Sequence, residues 1–208
     1  MPDVSTLLLF AAASAVLIAV PGPAMAYIVA RAVTQGRSAG VVSALGIEVG
    51  ALVHVAAAVV GLSALIASSA TAFAVVKYAG AAYLVVLGIQ KLRSGARAAE
   101  PGAVTPETRG QLFRRGVLVN ALNPKVAVFF LAFLPQFVDP HGAPVALQVA
   151  LLGILFVAIA AAIDCAWALA AGSLGVLVRG SDRFRRWMDR VSGVTFLGMG
   201  AAAALARR

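Results

Sequence analysis

Two carboxylates and two ammonium groups sit inside long apolar stretches of this 208-residue chain: Glu48, Asp164, Lys77 and Lys125. Burying an ionisable group in apolar surroundings is expensive, so each reads first as a proton carrier, a counter-ion or a ligand for charged cargo. Glu48, amid Gly46, Gly50 and Ala51, has the chemistry to carry a coupling proton or to bind an ammonium. Asp164, between Ile163 and Cys165, has the same two uses. The structural alternative is a salt bridge that only locks two helices together, with Glu48 and Lys125 as the obvious pair. Lys77, near the outer end of its apolar run, is a candidate for ion pairing and is expected to snorkel towards the interface.

Two helix-breaking triplets accompany these charges. Pro21 and Pro23 have no N–H to give the carbonyls of Leu17 and Ala19, and Gly22 permits an unwound turn. Freed carbonyls suit an ammonium or a cation, and the start of the following half-helix suits a carboxylate. That complementarity fits a zwitterion. In the second triplet, Asn123-Pro124-Lys125, Pro124 frees the carbonyl of Asn120, one turn earlier. Asn120, Asn123 and Lys125 add two amides and an ammonium. Pro21, Gly22, Pro23, Asn120, Asn123, Pro124 and Lys125 are therefore the expected substrate-binding residues. The plainer alternatives are a simple kink for the first triplet and a snorkelling lysine for the second.

Such residues need a membrane-spanning frame to hold them. The chain is 62% hydrophobic with a mean hydropathy of +0.96, against roughly 45–50% apolar usage in soluble domains. Runs of about 20 apolar residues, enough to cross roughly 30 Å of hydrocarbon, predict an all-α polytopic membrane protein with six transmembrane helices. They cover approximately 4–30, 39–67, 72–92, 113–138, 144–178 and 191–206. One transporter domain, 1–208, is expected, with a cytoplasmic linker near 93–112 between two three-helix halves. A 3+3 inverted repeat is a fold-level expectation, since no sequence repeat is visible. The first apolar run lacks a basic start and is twice the length of a signal-peptide core, so it reads as a span.

Loop charge sets an orientation. Arg31 and Arg37 fall in 31–38. Lys91, Arg93, Arg97, Arg109, Arg114 and Arg115 fall in 91–115, and Arg179, Arg183, Arg185, Arg186 and Arg190 in 179–190. These make thirteen of the 17 Lys and Arg residues, and loops 68–71 and 139–143 carry none. The positive-inside rule puts the three basic loops in the cytoplasm of a bacterial inner membrane and both termini outside, with Arg207 and Arg208 weakly opposed. Counted from those loops at about 1.5 Å per residue, Pro23 lies about 12 Å deep, Pro124 about 14 Å, Glu48 about 16 Å and Asp164 about 22 Å. Four features on four spans thus share a layer, as the walls of one pocket would.

Several function classes drop out. The net charge of +9 is accounted for by loops beside spans, with no basic patch interleaved with aromatics, so nucleic acid is not an expected partner. The lone Cys165 has no disulfide partner and no metal-ligand spacing. There is no GxxxxGK[ST], HExxH or GxSxG motif, so neither a cofactor nor a metal nor an enzymatic activity is expected. His54, six positions from Glu48, falls on another face of its helix and reads as a hydrogen-bonded packing residue.

The segments themselves resemble a known family. Pro21-Gly22-Pro23 followed by Arg31, Gly36-Arg37 and Gly40 is similar to the first-loop signature of the LysE/RhtB amino-acid exporters. Lys77 to Leu84 with Gly88 and Arg93 resembles that family's third span, and Gly116 to Phe137 its fourth. Arg186 to Gly193 resembles the entry to the sixth. The resemblance implies proton-driven export of amino acids from the cytoplasm, with Pro21, Gly22, Pro23, Lys77, Asn120, Asn123, Pro124, Lys125 and Asp164 as functional positions. Glu48 departs from the pattern, where a small or apolar residue is usual, and as an extra carboxylate would favour a cationic side chain. A homodimer is compatible with six short spans. The competing class is a small cation exporter or channel using the same carboxylates.

Overall fold

The computed structural model describes residues 2–68, 70–93, 106–139, 141–178 and 182–205. Side chains at 62–68, 70, 72, 73, 76, 91, 174–178 and 182–189 are outside that description. Most of the expected linker (94–105), Arg97, Arg179, Arg207 and Arg208 are therefore outside it, as are the side chains of Lys91, Arg183, Arg185 and Arg186.

The described residues are all-helical, without a strand. In chain order the helices are α1 (Val4–Ala19), α2 (Pro23–Gln35), α3 (Arg37–Ser68), α4 (Ala70–Arg93), α5 (Arg109–Ala121), α6 (Pro124–Val128), α7 (Val145–Val178) and α8 (Asp182–Leu205). After α6 the chain continues as a π turn over Phe129–Phe133 and a 3-10 turn over Leu134–Phe137.

Local chemistry explains the boundaries. Asp3 Oδ1 accepts from Thr6 N at 2.7 Å and starts α1; that bond holds the Asp3 carboxyl below the usual carboxylate range. Thr108 and Gln111 form a reciprocal capping box that starts α5 at Arg109, four residues before the expected span. Pro23 and Pro124 each open a helix, where a missing N–H costs nothing. Gly36, at φ +88°, makes the turn from α2 into α3. The expected loop 31–38 is thus reduced to one glycine, and Arg31 lies within α2 rather than in a loop. Likewise α8 begins at Asp182, nine residues before the expected span, so part of the basic 179–190 segment is helical.

Both triplets break their helices. α1 and α2 meet at 56°, and α5 meets the segment Pro124–Phe137 at 43°. Among the described residues, α3 (over Arg37–Gly61) and α7 (over Val145–Ser173) are each long and apolar enough to cross a membrane. Each bent pair passes the same test as a unit, giving up to four spans by length and composition. α8 contributes a shorter apolar stretch, Arg190–Leu205.

Small residues let the backbones touch. A Cβ on Gly50 would lie 2.5 Å from Val117 O, and one on Gly116 2.6 Å from Ser43 O, so α3 and α5 cross with their main chains in contact. Gly88 and Gly193 do the same for α4 and α8. A Cβ on Gly198, by contrast, would meet nothing within 4 Å among the described residues. The main core gathers Phe10, Phe129, Phe130, Phe133 and Phe156, with ring centroids such as Phe129–Phe156 at 5.1 Å. A second cluster, Ile28, Ala44, Ile47 and Ala168, joins α2, α3 and α7.

Candidate functional site

The two breaks meet. Lys125, one residue into α6, sends its Nζ to the carbonyl of Val20 at 2.7 Å. Val20 is the last residue before Pro21-Gly22-Pro23, so the second break's ammonium caps a carbonyl the first break leaves open. The sequence pointed to Leu17 and Ala19 as the freed carbonyls. Leu17 O instead accepts from Val20 N at 3.2 Å, because the chain turns back on itself before the prolines. Lys125 is only 8% exposed, which removes the snorkelling alternative.

A chain of amides fixes the second break. Asn123 Oδ1 accepts from Lys125 N at 3.1 Å, and Asn123 Nδ2 donates to Asn120 Oδ1 at 3.2 Å. Asn120 Nδ2 in turn donates to Ile47 O on α3 at 2.8 Å. The Asn120 carbonyl that Pro124 deprives of its helical donor accepts from Asn123 N at 2.9 Å. His54 Nε2 stands 2.8 Å from the same oxygen, and only the Nε2–H tautomer can donate there. Each asparagine side chain thus commits one donor and its oxygen to holding the break open. Their role towards a ligand is largely to position Lys125.

Beside this junction lies a narrow cavity of about 30 Å³, between the two hydrophobic clusters. Glu48 from α3, Asp164 from α7 and Lys125 line it, together with Gly22, Asn120 and Asn123. Glu48 and Asp164 are near enough to repel each other, and Lys125 near enough to attract Asp164. No N–H or hydroxyl donor among the described residues reaches either buried Glu48 oxygen, and the Asp164 carboxyl stands close enough to share a proton with it. A buried polar group in that state is costly unless a proton or a ligand compensates it. Fully ionised, the three charged side chains sum to one negative charge.

A second cavity, of about 240 Å³, opens on the other side of the breaks. Pro21, Pro23 and Pro124 line it with Leu87 and Gln90 of α4 and Phe196 of α8. Gly22, Asn123 and Lys125 border both spaces. All seven residues expected to bind substrate therefore lie at one cavity or the other. Lys77 borders neither; it is 4% exposed rather than snorkelling, with Nζ 5.0 Å from the Tyr78 ring centroid. Leu87, Gln90 and Phe196 carry no signal in the sequence, being ordinary residues on apolar helices.

A third feature was also invisible in the sequence. Glu107 Oε1 receives Arg31 Nη2 and Arg115 Nη1, each at 2.6 Å. Gln35 Nε2 donates to Glu107 O at 2.8 Å. The cluster ties the end of α2 to the start of α5 and buries Arg31, which loop charge alone assigns to the loop 31–38.

Comparison with known proteins agrees with this architecture. Residues 15–207 match the LysE type translocator family. An uncharacterized membrane protein of Vibrio cholerae is 32% identical over 99% of both chains. The homoserine/homoserine lactone efflux protein of Salmonella typhimurium is 31% identical over 90% of both. The threonine efflux protein of Salmonella typhi is 30% identical over 90% of this chain and 91% of its own. No solved structure matches.

Proposed function

The chain belongs to the LysE type translocator family of membrane transporters, which are not enzymes, and we propose that it exports amino acids or close analogues from the bacterial cytoplasm in exchange for protons. One observation carries this reading. A cavity at the junction of two broken helices holds two neighbouring carboxyl groups and an ammonium. An amino acid presents the complementary charges. Its ammonium faces Glu48 and Asp164, and its carboxylate takes the Lys125 ammonium in place of the Val20 carbonyl.

Coupling follows from charge balance. A proton on one of the two carboxyl groups and a substrate ammonium between them compete for the same carboxylates, so the protonated site binds the substrate's ammonium poorly and the deprotonated site binds it well. Release of substrate on one side and of a proton on the other then exchanges one for the other. Lys77, away from both cavities, serves as a packing cation over Tyr78 in this scheme.

The reading includes six spans in one transporter domain, with α4 and α8 joining α3, α7 and the two bent pairs. The basic end faces the cytoplasm. Support for that side comes from Arg31 and Arg115 sharing Glu107, and from Arg109 Nη2 lying 3.4 Å from Ser38 Oγ, which gather two basic segments at one end. Assembly as a homodimer belongs to the same reading and is read out by the mass of the detergent-solubilised protein.

The test is efflux from proteoliposomes loaded with homoserine, threonine or alanine under an imposed pH gradient. Saturable, gradient-dependent efflux that falls in Asn123→Ala, Lys125→Ala and Asp164→Asn is expected. Wild-type rates in all three variants would overturn the site assignment. Unsaturable flux of ions alone would assign the protein to the channel class instead.

A further inference from the structure

The cavity with the carboxylates is too small to hold an amino acid. At about 30 Å³ it takes an ammonium group or a few waters. The space beyond the breaks is about 240 Å³, somewhat below the roughly 300 Å³ at which clefts for drug-sized ligands begin. The two are adjacent, because Gly22, Asn123 and Lys125 border both. Gly22 flanks Lys125 at this boundary, where a Cβ would make ordinary contact with Lys125 Cδ at 3.4 Å and Nζ at 3.5 Å. A zwitterion whose carboxylate meets Lys125 and whose ammonium meets Glu48 and Asp164 fills the small cavity with its charged groups, so its side chain needs an adjoining space. The larger cavity adjoins the small one at Lys125.

We propose that the larger cavity is the side-chain subsite of the exported amino acid, and that Leu87, Gln90 and Phe196 determine which amino acids are carried. The inference rests on the exporter reading above and adds α4 and α8 to the substrate path. Its chemistry selects a class. The walls are apolar from Leu87, Phe196 and three prolines, with the amides of Gln90 and Asn123 as polar elements. Among the described residues no carboxylate lines the space, while the Lys125 ammonium borders it. A cationic side chain would meet like charge and lose its hydration without replacement. Short uncharged side chains, aliphatic or ending in a hydroxyl, fit. Glu48, on the far side of Lys125, would then serve the substrate's α-ammonium instead of selecting a cationic side chain.

The geometry also gives the subsite mechanical limits. Phe196 belongs to the main hydrophobic core and is 4% exposed, so its ring is held by packing. Ser192, one turn earlier on α8, lies 3.4 Å from the Pro21 carbonyl and ties that wall to the first break. Leu87 and Phe196 face the same space from α4 and α8, whose backbones touch at Gly88 and Gly193. Substitutions at these two positions therefore change the room available without touching the charged groups.

The experiment measures KM for alanine, homoserine, leucine and lysine in proteoliposomes of wild type, Leu87→Phe and Phe196→Ala, with Asp164→Asn as the reference variant. The ratio of two KM values on one preparation does not depend on the fraction of protein that folds. Leu87→Phe should raise the homoserine-to-alanine and leucine-to-alanine ratios at least fivefold by filling the space. Phe196→Ala should lower the leucine-to-alanine ratio at least fivefold by enlarging it. Lysine should be the poorest substrate of the wild type. Ratios unchanged within twofold in both variants would overturn the subsite, as would a uniform loss over the whole panel, the result expected if a lipid acyl chain fills the cavity. If wild type exports the panel and Asp164→Asn impairs it while selectivity stays fixed, only this inference fails. If wild type exports none of the four, the exporter reading fails with it.

Discussion

At the α1/α2 break the chain bends by 56° and offers main-chain carbonyls; at the α5/α6 break it bends by 43° and offers amides and an ammonium. Both use proline at the first position of the helix that follows. The first break has no polar side chain of its own, since Pro21, Gly22 and Pro23 supply only geometry and acceptors. The second carries Asn120, Asn123 and Lys125, which satisfy their own break and reach across to the other through Val20 O. One break is the lock plate and the other the bolt. The difference teaches that a proline interruption does not by itself make a binding site. It makes unsatisfied main chain, and the function depends on what the fold brings to it.

Removing the bolt should have the largest effect. Lys125→Met leaves the Val20 carbonyl and Asp164 without their cation, and breaking a buried charge network typically costs about 3–5 kcal/mol. Thermal unfolding in detergent should drop accordingly, and export should fall below detection. A Lys125→Met protein with wild-type melting and transport would dissolve the contrast between the two breaks.

Next comes the tie at the basic end. Glu107→Gln removes the carboxylate between Arg31 and Arg115, so the buried Arg31 loses this counter-charge while keeping its contacts with Gln35 and the Tyr27 ring. Because Arg115 is 63% exposed in its side chain, most of the loss comes from Arg31, about 3 kcal/mol. High salt should change it little, since a buried pair is weakly screened. Equal melting temperatures for wild type and Glu107→Gln would mean that α2 and α5 are held by packing alone.

Asn123→Ala isolates the cap. It removes the acceptor for Lys125 N and the donor to Asn120 Oδ1, and should cost about 1–2 kcal/mol, as other N-cap losses do. Hydrogen exchange at the start of α6 should speed up while α1 and α2 stay unchanged. Spread of the effect into α1 would show that the breaks act as one unit.

The mildest substitution sharpens the comparison most. Gly22 has φ −146°, which any residue adopts, and a Cβ there makes ordinary contact with Lys125. Gly22→Ala should leave stability within about 1 kcal/mol of wild type, with a gain where unfolded-state entropy dominates. Export should still slow, because the methyl group narrows the passage beside the ammonium. An unfolded Gly22→Ala protein would mean that the first break needs its glycine for folding.

Much of this could be read from single residues. Pro21-Gly22-Pro23 and Asn123-Pro124-Lys125 announced their bends because proline deletes a donor wherever it stands. The fifth apolar run, 144–178, was placed within a residue of α7 because nothing interrupts it. Arg31 was misplaced, since a basic residue after an apolar run looks the same whether it ends a span or pairs with an acid 76 positions away. Glu107 gave no signal, lying in a polar segment among unremarkable neighbours. Gln90 sits near the basic end of its run, where polar residues are expected anyway.

By itself, then, the sequence determined an all-helical frame, two interrupted helices and a small stock of charges too costly to bury without use. These are local properties: hydropathy, donor deletion and the desolvation penalty belong to each residue wherever the chain goes. Only the tertiary structure decided that Lys125 caps Val20, that Glu48 and Asp164 face one cavity, and that α4 and α8 close a second beside it. The partners in those contacts come from opposite ends of the chain, and their pairing follows from how apolar helices with small residues at their crossings pack. No residue carries that information alone.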